Sequence, residues 1–319
     1  MNGVSGFDIF GDIHGCAGKL RGLLNQLGYR QRNGTFRHPG RQALFVGDLI
    51  DRGPDQVDTV NTVRSMVDAG TARVTMGNHE FNAISFATPD PEKAGEFMRP
   101  HGGPKGPKNL DQHGEFLKQV DESKRVEFLE WFKTLPLWLD LDGVRIVHAC
   151  WHDASIKVLA GALGQGPMSE DFVVRANTTG TKEFEAVETV LKGPEVELGE
   201  HHGFRDGRQV RTAARIRWWD PGARTLREIA EIPPGSRTPK GRPYPDLGDE
   251  PCAKADEYRY ENDKPVFFGH YWRTGTPRVD GPRTACVDFS AIRGGPLVAY
   301  RFDGEATLVD ANMVAFGRG

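Results

Sequence analysis

Short apolar runs recur along this chain of 319 residues, and a polar cluster directly follows each of five of them. Each run has four or five residues and many are β-branched or aromatic, which predicts buried strands. The runs lie at 7–10, 43–46, 72–76, 144–147 and 265–268. Because the carboxyl ends of parallel strands meet at one edge of a sheet, this recurrence constrains both the fold and the place where chemistry can occur.

Two stripes of apolar residues at helical spacing separate the first three predicted strands. The stripes are Leu20, Leu23, Leu24 and Leu27, and Val57, Val60, Val63 and Val67. Gly28 follows the first stripe and Gly70 follows the second, as expected at the ends of helices. The alternation of strand and helix predicts an α/β sheet.

The remaining segments are predicted from local composition. Residues 121–135, with Asp121 as a cap, and 181–191 have helical patterns, whereas 87–114 and 232–255 are rich in Pro, Gly and charge and are predicted loops. Three strands are predicted at 285–289, 296–302 and 306–310, with a hairpin turn at Asp303-Gly304 between the last two. We therefore expect one domain, 1–319, with insertions at about 87–140 and 153–260.

Charge and cysteine content favour some functions over others. The formal net charge is −3, which does not favour a nucleic-acid or membrane partner. The start of the chain lacks the pattern of a signal peptide, and the four cysteines have no CxxC spacing. A reducing, cytoplasmic location is therefore the expectation.

The residues that follow the predicted strands form a ligand set of oxygen and imidazole donors without a thiolate. They are Asp12, His14, Asp48, Asn78, His148 and His270. Such donors suit Mn, Fe or Zn, and six are enough for two ions that share one carboxylate. Asp48 is the expected bridge, because each of its oxygens can hold one ion. A water held between two divalent cations has a lowered pKa, which allows attack on phosphorus at neutral pH.

Three further residues suggest roles around that centre. Arg52 carries a planar guanidinium that matches two phosphate oxygens. His79 could protonate a leaving oxygen, and Asp51 is the candidate carboxylate that would fix its tautomer.

Taken singly, each of these residues also has an ordinary structural explanation. Asp12, Asp48 and Asp51 could cap helices, Asn78 could stand in a turn, and lone histidines are often core or surface residues. Arg52 could simply pair with a carboxylate. The joint placement of these residues after strands favours a metal centre over those explanations.

The segments GDIHG, GDLIDRG, GNHE, a distal HA and a GH together resemble the metallophosphoesterase (calcineurin-like) superfamily. The DRG and GNHE forms resemble its phosphoprotein-phosphatase branch, which includes bacterial and phage serine/threonine phosphatases and diadenosine tetraphosphatases. The resemblance implies an αββα sandwich of two mixed sheets flanked by helices. It also implies two divalent metal ions, with Mn favoured and Fe or Zn as alternatives.

The resemblance further implies a role for each matching residue. Asp12 and His14 would hold one metal, Asp48 would bridge, and Asn78, His148 and His270 would hold the second. His79 would be the general acid paired with Asp51, and Arg52 would contact phosphate. A second phosphate-binding arginine is expected between the last two histidines, where Arg205, Arg208, Arg211, Arg215 and Arg217 compete. Arg217 is preferred because it lies at a predicted strand edge.

One departure from the superfamily bears on the substrate. Many members end in GHxH, whereas this chain has Gly269-His270-Tyr271-Trp272 and lacks the second histidine. The Gly-His-aromatic form is similar to the GHW of diadenosine tetraphosphatases, although GNHE is more typical of protein phosphatases. Trp218, Trp219 and Trp272 could stack a base, but packing is the more ordinary role of tryptophan.

Three functions follow from the sequence. The first is a metal-dependent phosphatase that hydrolyses phosphate monoesters, on phosphoserine, phosphothreonine or small esters, by attack of a metal-bound hydroxide. The alternative is a diadenosine tetraphosphatase-like nucleotide pyrophosphohydrolase. The third is an inactive metal-binding scaffold for a phosphorylated partner.

Overall fold

A computed structural model describes residues 5–164, 166–199, 202–206, 209–233, 235–245 and 247–317. The first four residues, part of the segment predicted to lack a signal peptide, lie outside this description. The chain forms two compact units, Met1–Lys192 with Asp263–Gly319, and Gly193–Asn262. The expectation of one domain with two insertions stays a prediction. Among the described residues, no helix combines the length and apolar character needed to cross a membrane.

Strands and helices alternate along the first half of the described chain. The strands are β1 (Gly6–Phe10), β2 (Arg30–Arg32), β3 (Thr35–Arg37), β4 (Arg41–Phe45), β5 (Ala72–Val74), β6 (Trp138–Leu141), β7 (Val144–Val147), β8 (Glu195–Glu197), β9 (Phe204–Asp206), β10 (Gln209–Arg211), β11 (Ala213–Ile216), β12 (Ala230–Glu231), β13 (Val266–Phe268), β14 (Thr284–Cys286), β15 (Leu297–Phe302) and β16 (Met313–Phe316). The helices are α1 (Ala17–Gln26), α2 (Gln56–Asp68), α3 (Asn78–Ala87), α4 (Gly106–Gln119), α5 (Glu122–Phe132), α6 (Asp153–Ala162), α7 (Glu170–Asn177), α8 (Lys182–Lys192), α9 (Leu226–Ile229) and α10 (Ala253–Tyr258).

Two mixed sheets form the centre of the first unit. The order of the larger sheet is β16-β15-β1-β4-β5, with β1, β4 and β5 parallel and β15 antiparallel to β1. The order of the smaller sheet is β14-β13-β7-β6, with β13 parallel to both of its neighbours. The carboxyl ends of β1, β4 and β5 therefore lie at one edge of the larger sheet.

The core of this unit contains buried side chains from both sheets. Ile9 and Leu44 of the larger sheet cluster with Ile146 and Phe267 of the smaller one. Burial of each such side chain contributes roughly 1.5–3 kcal/mol. Helices α1 and α2 pack on strands of the larger sheet. The arrangement is the predicted one, two mixed sheets flanked by helices.

Several predictions of local structure are confirmed. The five apolar runs form β1, β4, β5, β7 and β13. Leu20, Leu23 and Leu24 lie on the buried face of α1 as predicted, whereas only Val60 and Val63 of the valine stripe are buried in α2, beside Thr59 and Met66. Asp121 caps α5 by accepting a hydrogen bond from the Lys124 N–H at 2.9 Å. The helix predicted at 181–191 is α8.

The loop predicted at 87–114 is wrong in its second half, because α4 begins at Gly106. Pro107 lies in the first turn, where proline is compatible with a helix. Asn109, His113 and Phe116 are buried along one face at helical spacing. The Pro and Gly content of the segment concealed this pattern.

The strand predicted at 306–310 is also wrong. β15 does pair with an antiparallel strand, but that strand is β16, and Tyr300 faces Met313 in the register. The intervening loop is held by Glu305, whose carboxylate accepts hydrogen bonds from the Tyr300 hydroxyl at 2.6 Å and from Asn312 at 2.9 Å. The predicted turn therefore opens a longer connection.

The second unit contains a small sheet of β12, β11 and β8 and a β9–β10 pair. Trp218 and Trp219 are buried within it, with ring centroids 5.9 Å apart. Trp218 also meets the Tyr260 ring of the same unit, with ring centroids 6.0 Å apart. The described residues from 232 to 252 form no helix or strand, as predicted, and α10 then begins at Ala253.

Candidate active site

The structure brings the predicted ligands together at the carboxyl ends of the strands. Potential ligand atoms of His14, Asp48 and His79 lie within 4.8 Å of one another, and so do those of Asp48, His148 and His270. Asp48 thus belongs to both groups, as a bridging carboxylate would.

The other two predicted ligands adjoin these groups. Asp12 accepts a hydrogen bond from the His270 N–H at 3.2 Å. The Oδ1 of Asn78 lies 3.1 Å from the Nε2 of His148.

The backbone around the centre is held in sparsely populated conformations. His14, Asp48, Asp51, Arg52 and His270 have φ between 47° and 70°, in the left-handed region that non-glycine residues rarely adopt. Such residues persist only where the surrounding structure fixes them, and they concentrate at functional sites.

Two glycines allow the polar residues to approach closely. A Cβ at Gly77 would lie 2.2 Å from Oδ1 of Asp48. A Cβ at Gly269 would lie 2.0 Å from Oδ1 of Asp12. Both approaches are too short for any residue with a side chain.

Backbone carbonyls orient two of the imidazoles. Nδ1 of His14 lies 2.9 Å from the Ile50 carbonyl, and Nδ1 of His148 lies 2.8 Å from the Val46 carbonyl. A carbonyl oxygen only accepts, so Nδ1 carries the proton in each ring and Nε2 carries the lone pair. Nε2 of His14 lies 3.6 Å from Oδ2 of Asp48, and Nε2 of His148 lies 3.4 Å from Oδ1 of Asp48. Lone pairs that face a carboxylate are the arrangement expected around a cation.

Three buried carboxyl groups converge on the same centre. They belong to Asp12, Asp48 and Asp288. Burial raises the pKa of Asp12 well above its ordinary value, and the charges of Asp288 and Asp48 raise it further. Burial also acts to raise the pKa of Asp48, but the adjacent His148, His79 and His14 outweigh it and hold that pKa low.

The side chains of this centre fit divalent cations. Oδ1 of Asp12 is buried and has no hydrogen-bond partner in the part of the chain that the structure describes. Burial, together with His79, lowers the pKa of His14 to about 3, so this imidazole is neutral and can act as a ligand. An orphaned carboxylate oxygen, converging carboxylates and neutral imidazoles fit hard or borderline divalent cations.

Two residues of this centre were missed in the sequence. Asp288 follows β14, so the rule that identified the other strand-end residues would have found it if 285–289 had not been predicted as continuous strand. Glu80 lies in the GNHE segment and accepts backbone N–H groups from Asp48 at 2.9 Å, Leu49 at 2.8 Å and Gly77 at 2.9 Å. Burial and the nearby Asp48 raise the pKa of Glu80 to about 7. Glu80 therefore holds the backbone turn that delivers Asp48.

His79 was predicted as the acid, but its ring belongs to the first ligand group, and Asp51 and Arg52 adjoin it. Nδ1 of His79 lies 2.6 Å from Oδ2 of Asp51. Nη1 of Arg52 lies 3.3 Å from Nε2 of His14, and Nη2 of Arg52 lies 3.3 Å from Nε2 of His79. Burial acts to lower the pKa of His79, but the charges of Asp48 and Asp51 outweigh it and raise that pKa. Asp51 also accepts a hydrogen bond from His113 of α4. The Arg52 side chain is exposed and can therefore meet a ligand.

The arginines proposed as a second phosphate contact lie in the second unit. Nε of Arg217 lies 2.5 Å from a Glu231 oxygen, so this guanidinium has a partner within its own unit. Arg205 bonds to the Pro239 carbonyl and Arg211 pairs with Glu195. Arg208 lies outside the described residues. The role of Arg217 stays a prediction.

The site combines carboxylates, neutral imidazoles, a hydrogen-bonded His–Asp pair and an exposed arginine at the ends of mixed sheets. This combination is that of a metal-dependent phosphoesterase. The comparisons with known proteins name the family. The profile of the calcineurin-like phosphoesterases matches residues 7–198, and the chain belongs to this family.

Individual relatives are similar to parts or all of the chain. An asymmetrical bis(5'-nucleosyl)-tetraphosphatase PrpE of Halalkalibacterium halodurans is 47% identical over 181 residues, which cover 54% of this chain and 66% of that protein, less than two thirds of its length. A symmetrical bis(5'-nucleosyl)-tetraphosphatase of Aromatoleum aromaticum is 26% identical over 309 residues, 92% of each chain. A serine/threonine phosphatase of Saccharomyces cerevisiae is 13% identical in structural alignment, with a TM-score of 0.45, over 98% of this chain and 79% of that one.

Proposed function

We propose that this protein hydrolyses dinucleoside polyphosphates of the diadenosine tetraphosphate type, at a centre of two divalent cations. Among the functions expected from the sequence, this is the nucleotide pyrophosphohydrolase rather than the monoester phosphatase. The names of the relatives support this choice, including the symmetrical tetraphosphatase that matches over 92% of both chains. Mn is the proposed ion, and Fe and Zn share its donors.

The observation that carries the nucleotide assignment is the exposure of Trp272 beside the metal ligands. This side chain is 39% exposed and follows the ligand His270 by two residues, while Tyr271 between them is buried. The Arg293 guanidinium lies 5.6 Å from the centroid of the Trp272 ring. An exposed indole beside a cation suits a nucleobase, because bases stack on aromatic faces and on guanidinium planes.

The residues of the site divide the work of the reaction. The residues that would hold the two cations are Asp12, His14, Asp48, Asn78, His148 and His270. Four of them form the two ligand groups with His79, and Asp12 and Asn78 contact the second group. When bound, the cations neutralise phosphate charge and lower the pKa of water at the site. Arg52 would clamp a phosphate oxygen at the exposed side, and His79 would donate a proton from Nε2 to the leaving oxygen. The Nδ1 contact with Asp51 orients the ring and stabilises the doubly protonated imidazolium from which Nε2 donates.

The test is a side-by-side measurement of kcat/KM for Mn-loaded protein on diadenosine tetraphosphate and on a phosphothreonine peptide. We expect the dinucleotide to be preferred. Two ADP would indicate symmetrical cleavage, and ATP with AMP would indicate asymmetrical cleavage. An Asp48→Asn variant is the control for contaminating activity. Preference for the peptide would replace the proposal with the protein phosphatase. An absence of turnover on every phosphate ester would leave the inactive scaffold.

A further inference from the structure

The Asp51 carboxylate accepts hydrogen bonds from two imidazoles, and only one of them faces the metal ligands. The first is that of His79. The second is that of His113 on α4, whose Nδ1 lies 2.9 Å from Oδ2 and 3.1 Å from Oδ1 of Asp51. We propose that His113 is a positioning residue, which holds Asp51 in the orientation that keeps His79 competent as the acid. This inference rests on the proposed function.

The hydrogen-bond pattern around His113 argues against a role in packing alone. A carboxylate can only accept, so the His113 proton lies on Nδ1 and Nε2 is left as an acceptor. That Nε2 atom is buried and has no hydrogen-bond partner among the described residues, and the whole residue is 1% exposed. A buried unsatisfied polar atom is costly, and a phenyl ring would fill the same space without it. The hydrogen bond to Asp51 is the interaction that an imidazole makes here and a phenyl ring would not.

His113 contacts a turn whose backbone is strained, and this contact helps to fix the turn. Asp51 and Arg52 have φ of 70° and 68°, so the turn needs support from outside. Helix α4 provides it at two points, because Gln119 at its C-terminal end donates a hydrogen bond to the Gly53 carbonyl at 3.0 Å. His113 therefore anchors the Asp51 side chain while Gln119 anchors the backbone next to it.

The consequence for catalysis follows from the shared oxygen. Oδ2 of Asp51 lies 2.6 Å from His79 and 2.9 Å from His113, so the two rings fix its direction together. Without His113 the carboxylate would keep one imidazole donor and could rotate away from His79. His79 would then lose the partner that holds its tautomer and ring orientation. Metal binding and phosphate binding use other side chains and would be retained.

The experiment compares wild type and His113→Phe, both loaded with Mn, on phenyl phosphate and p-nitrophenyl phosphate. The poorer phenolate leaving group needs a proton, whereas nitrophenolate leaves without one. We expect kcat on phenyl phosphate to fall roughly 10–100-fold, the range seen when an outer partner of a functional residue is lost. KM, the Mn content and kcat on p-nitrophenyl phosphate should stay near wild type.

A matched substitution in the same layer separates this effect from general disturbance. His101 stacks on Phe86 and Phe97 with ring centroids 3.8 Å and 4.1 Å away, and it bonds to the Phe86 carbonyl. His101→Phe keeps the stacking and leaves both donors to Asp51 in place, so it should not change the ratio of the two substrates. His113→Asn retains an N–H donor and should recover part of the lost activity on phenyl phosphate. His113→Leu replaces the phenylalanine variant if that variant does not fold.

A double-mutant cycle then tests whether His113 acts through His79. In a His79→Ala background, His113→Phe should cost nothing further on phenyl phosphate. Equal losses on both leaving groups, or additive losses in the cycle, would overturn the positioning role and leave a merely structural one. If the wild-type protein hydrolyses neither the two esters nor diadenosine tetraphosphate, the proposed function itself fails. This result would be seen before any variant is compared.

Discussion

Nδ1 of His79 lies 2.6 Å from Oδ2 of Asp51, and both side chains are buried. The short contact sets the direction of the ring and leaves Nε2 to face Oδ2 of Asp48 at 3.8 Å. In the doubly protonated imidazolium, the Nε2–H is thereby presented on the side where the ligand groups lie. A general acid needs this combination of a stabilised imidazolium and a directed N–H.

Replacement of His79 by alanine tests that role. We expect kcat to fall roughly 10²–10³-fold on phenyl phosphate while bound metal is unchanged, which is the range for loss of a general acid. The loss should shrink on p-nitrophenyl phosphate. Steady-state kinetics and metal analysis on the same preparations provide the measurement, and equal losses on both esters would contradict the acid role.

Arg52→Ala should weaken substrate binding. The alanine keeps a Cβ, so the strained backbone is little changed while the guanidinium is lost. Charge-assisted hydrogen bonds contribute about 1.5–3 kcal/mol, which corresponds to a roughly 10–100-fold fall in kcat/KM, mostly through a higher KM. Arg21→Ala, at an exposed arginine paired with Asp58, is the control. Unchanged KM and kcat in the Arg52 variant would remove the clamp.

Trp272→Ala should discriminate between substrates with and without a base. Stacking of a base on an aromatic ring is worth about 1–3 kcal/mol, so KM for diadenosine tetraphosphate should rise roughly 5–150-fold. KM for p-nitrophenyl phosphate should not change, and Trp272→Phe should retain most of the affinity. Phe316→Ala is a control of similar exposure, 37% against 39%, on strand β16. A parallel rise of KM on both substrates would refute base stacking.

Removal of divalent cations should destabilise the protein, because three buried carboxylates then repel one another. At a cation concentration 100 times its Kd, the gain in unfolding free energy is about 2.7 kcal/mol. Asp288→Asn should stabilise the metal-free protein and reduce the gain from added Mn. Denaturant unfolding with Mn or with a chelator measures both effects, and Asp142→Asn in the exposed β6–β7 turn is the control.

The effect of Asp288→Asn should also depend on pH. Burial raises the pKa of Asp288 in the folded protein. Such a group contributes stability below its unfolded pKa of about 3.9, and this contribution is lost as the pH rises through the folded value. The stabilisation by Asp288→Asn in metal-free protein should therefore grow with rising pH. If the stabilisation by Asp288→Asn stayed constant from the unfolded pKa upward, Asp288 would not titrate in that pH range.

Gly269→Ala should abolish metal binding and lower stability, since the new Cβ would lie 2.0 Å from Oδ1 of Asp12. Gly18→Ala, in α1 with open space around its Cα, should instead be neutral or stabilising by up to about 1 kcal/mol. Titration of Mn followed by thermal unfolding distinguishes the two. Normal Mn affinity in the Gly269 variant would contradict the close approach.

Much of the site could be predicted from sequence because it obeys a rule of position. Asp12, Asp48 and His148 each follow a short buried strand, and parallel strands bring such ends together whatever the loops do. Short side chains beside glycine also left few conformational alternatives. His14, Asp48, His148 and His270 therefore meet in two groups that share Asp48, and Asp12 and Asn78 each contact a member of the second group.

The parts that were missed depend on contacts distant in sequence. His113 lies 62 residues from Asp51 along the chain, in a segment whose Pro and Gly content predicted a loop. Glu80 was visible in its motif, but its acceptance of backbone N–H groups from the Asp48 turn, about 30 residues away, is a tertiary fact. Local patterns carry no signal for such pairings, whereas they do carry the period of a helix or strand.

The left-handed backbone at His14, Asp48, Asp51, Arg52 and His270 has a consequence for engineering. Each such residue costs on the order of 1–3 kcal/mol, and glycine would relieve that cost while deleting the side chain that reacts. A library of variants selected for heat resistance alone would therefore accumulate glycine at these positions and lose activity. Screens that improve this enzyme's durability need a turnover assay at every round.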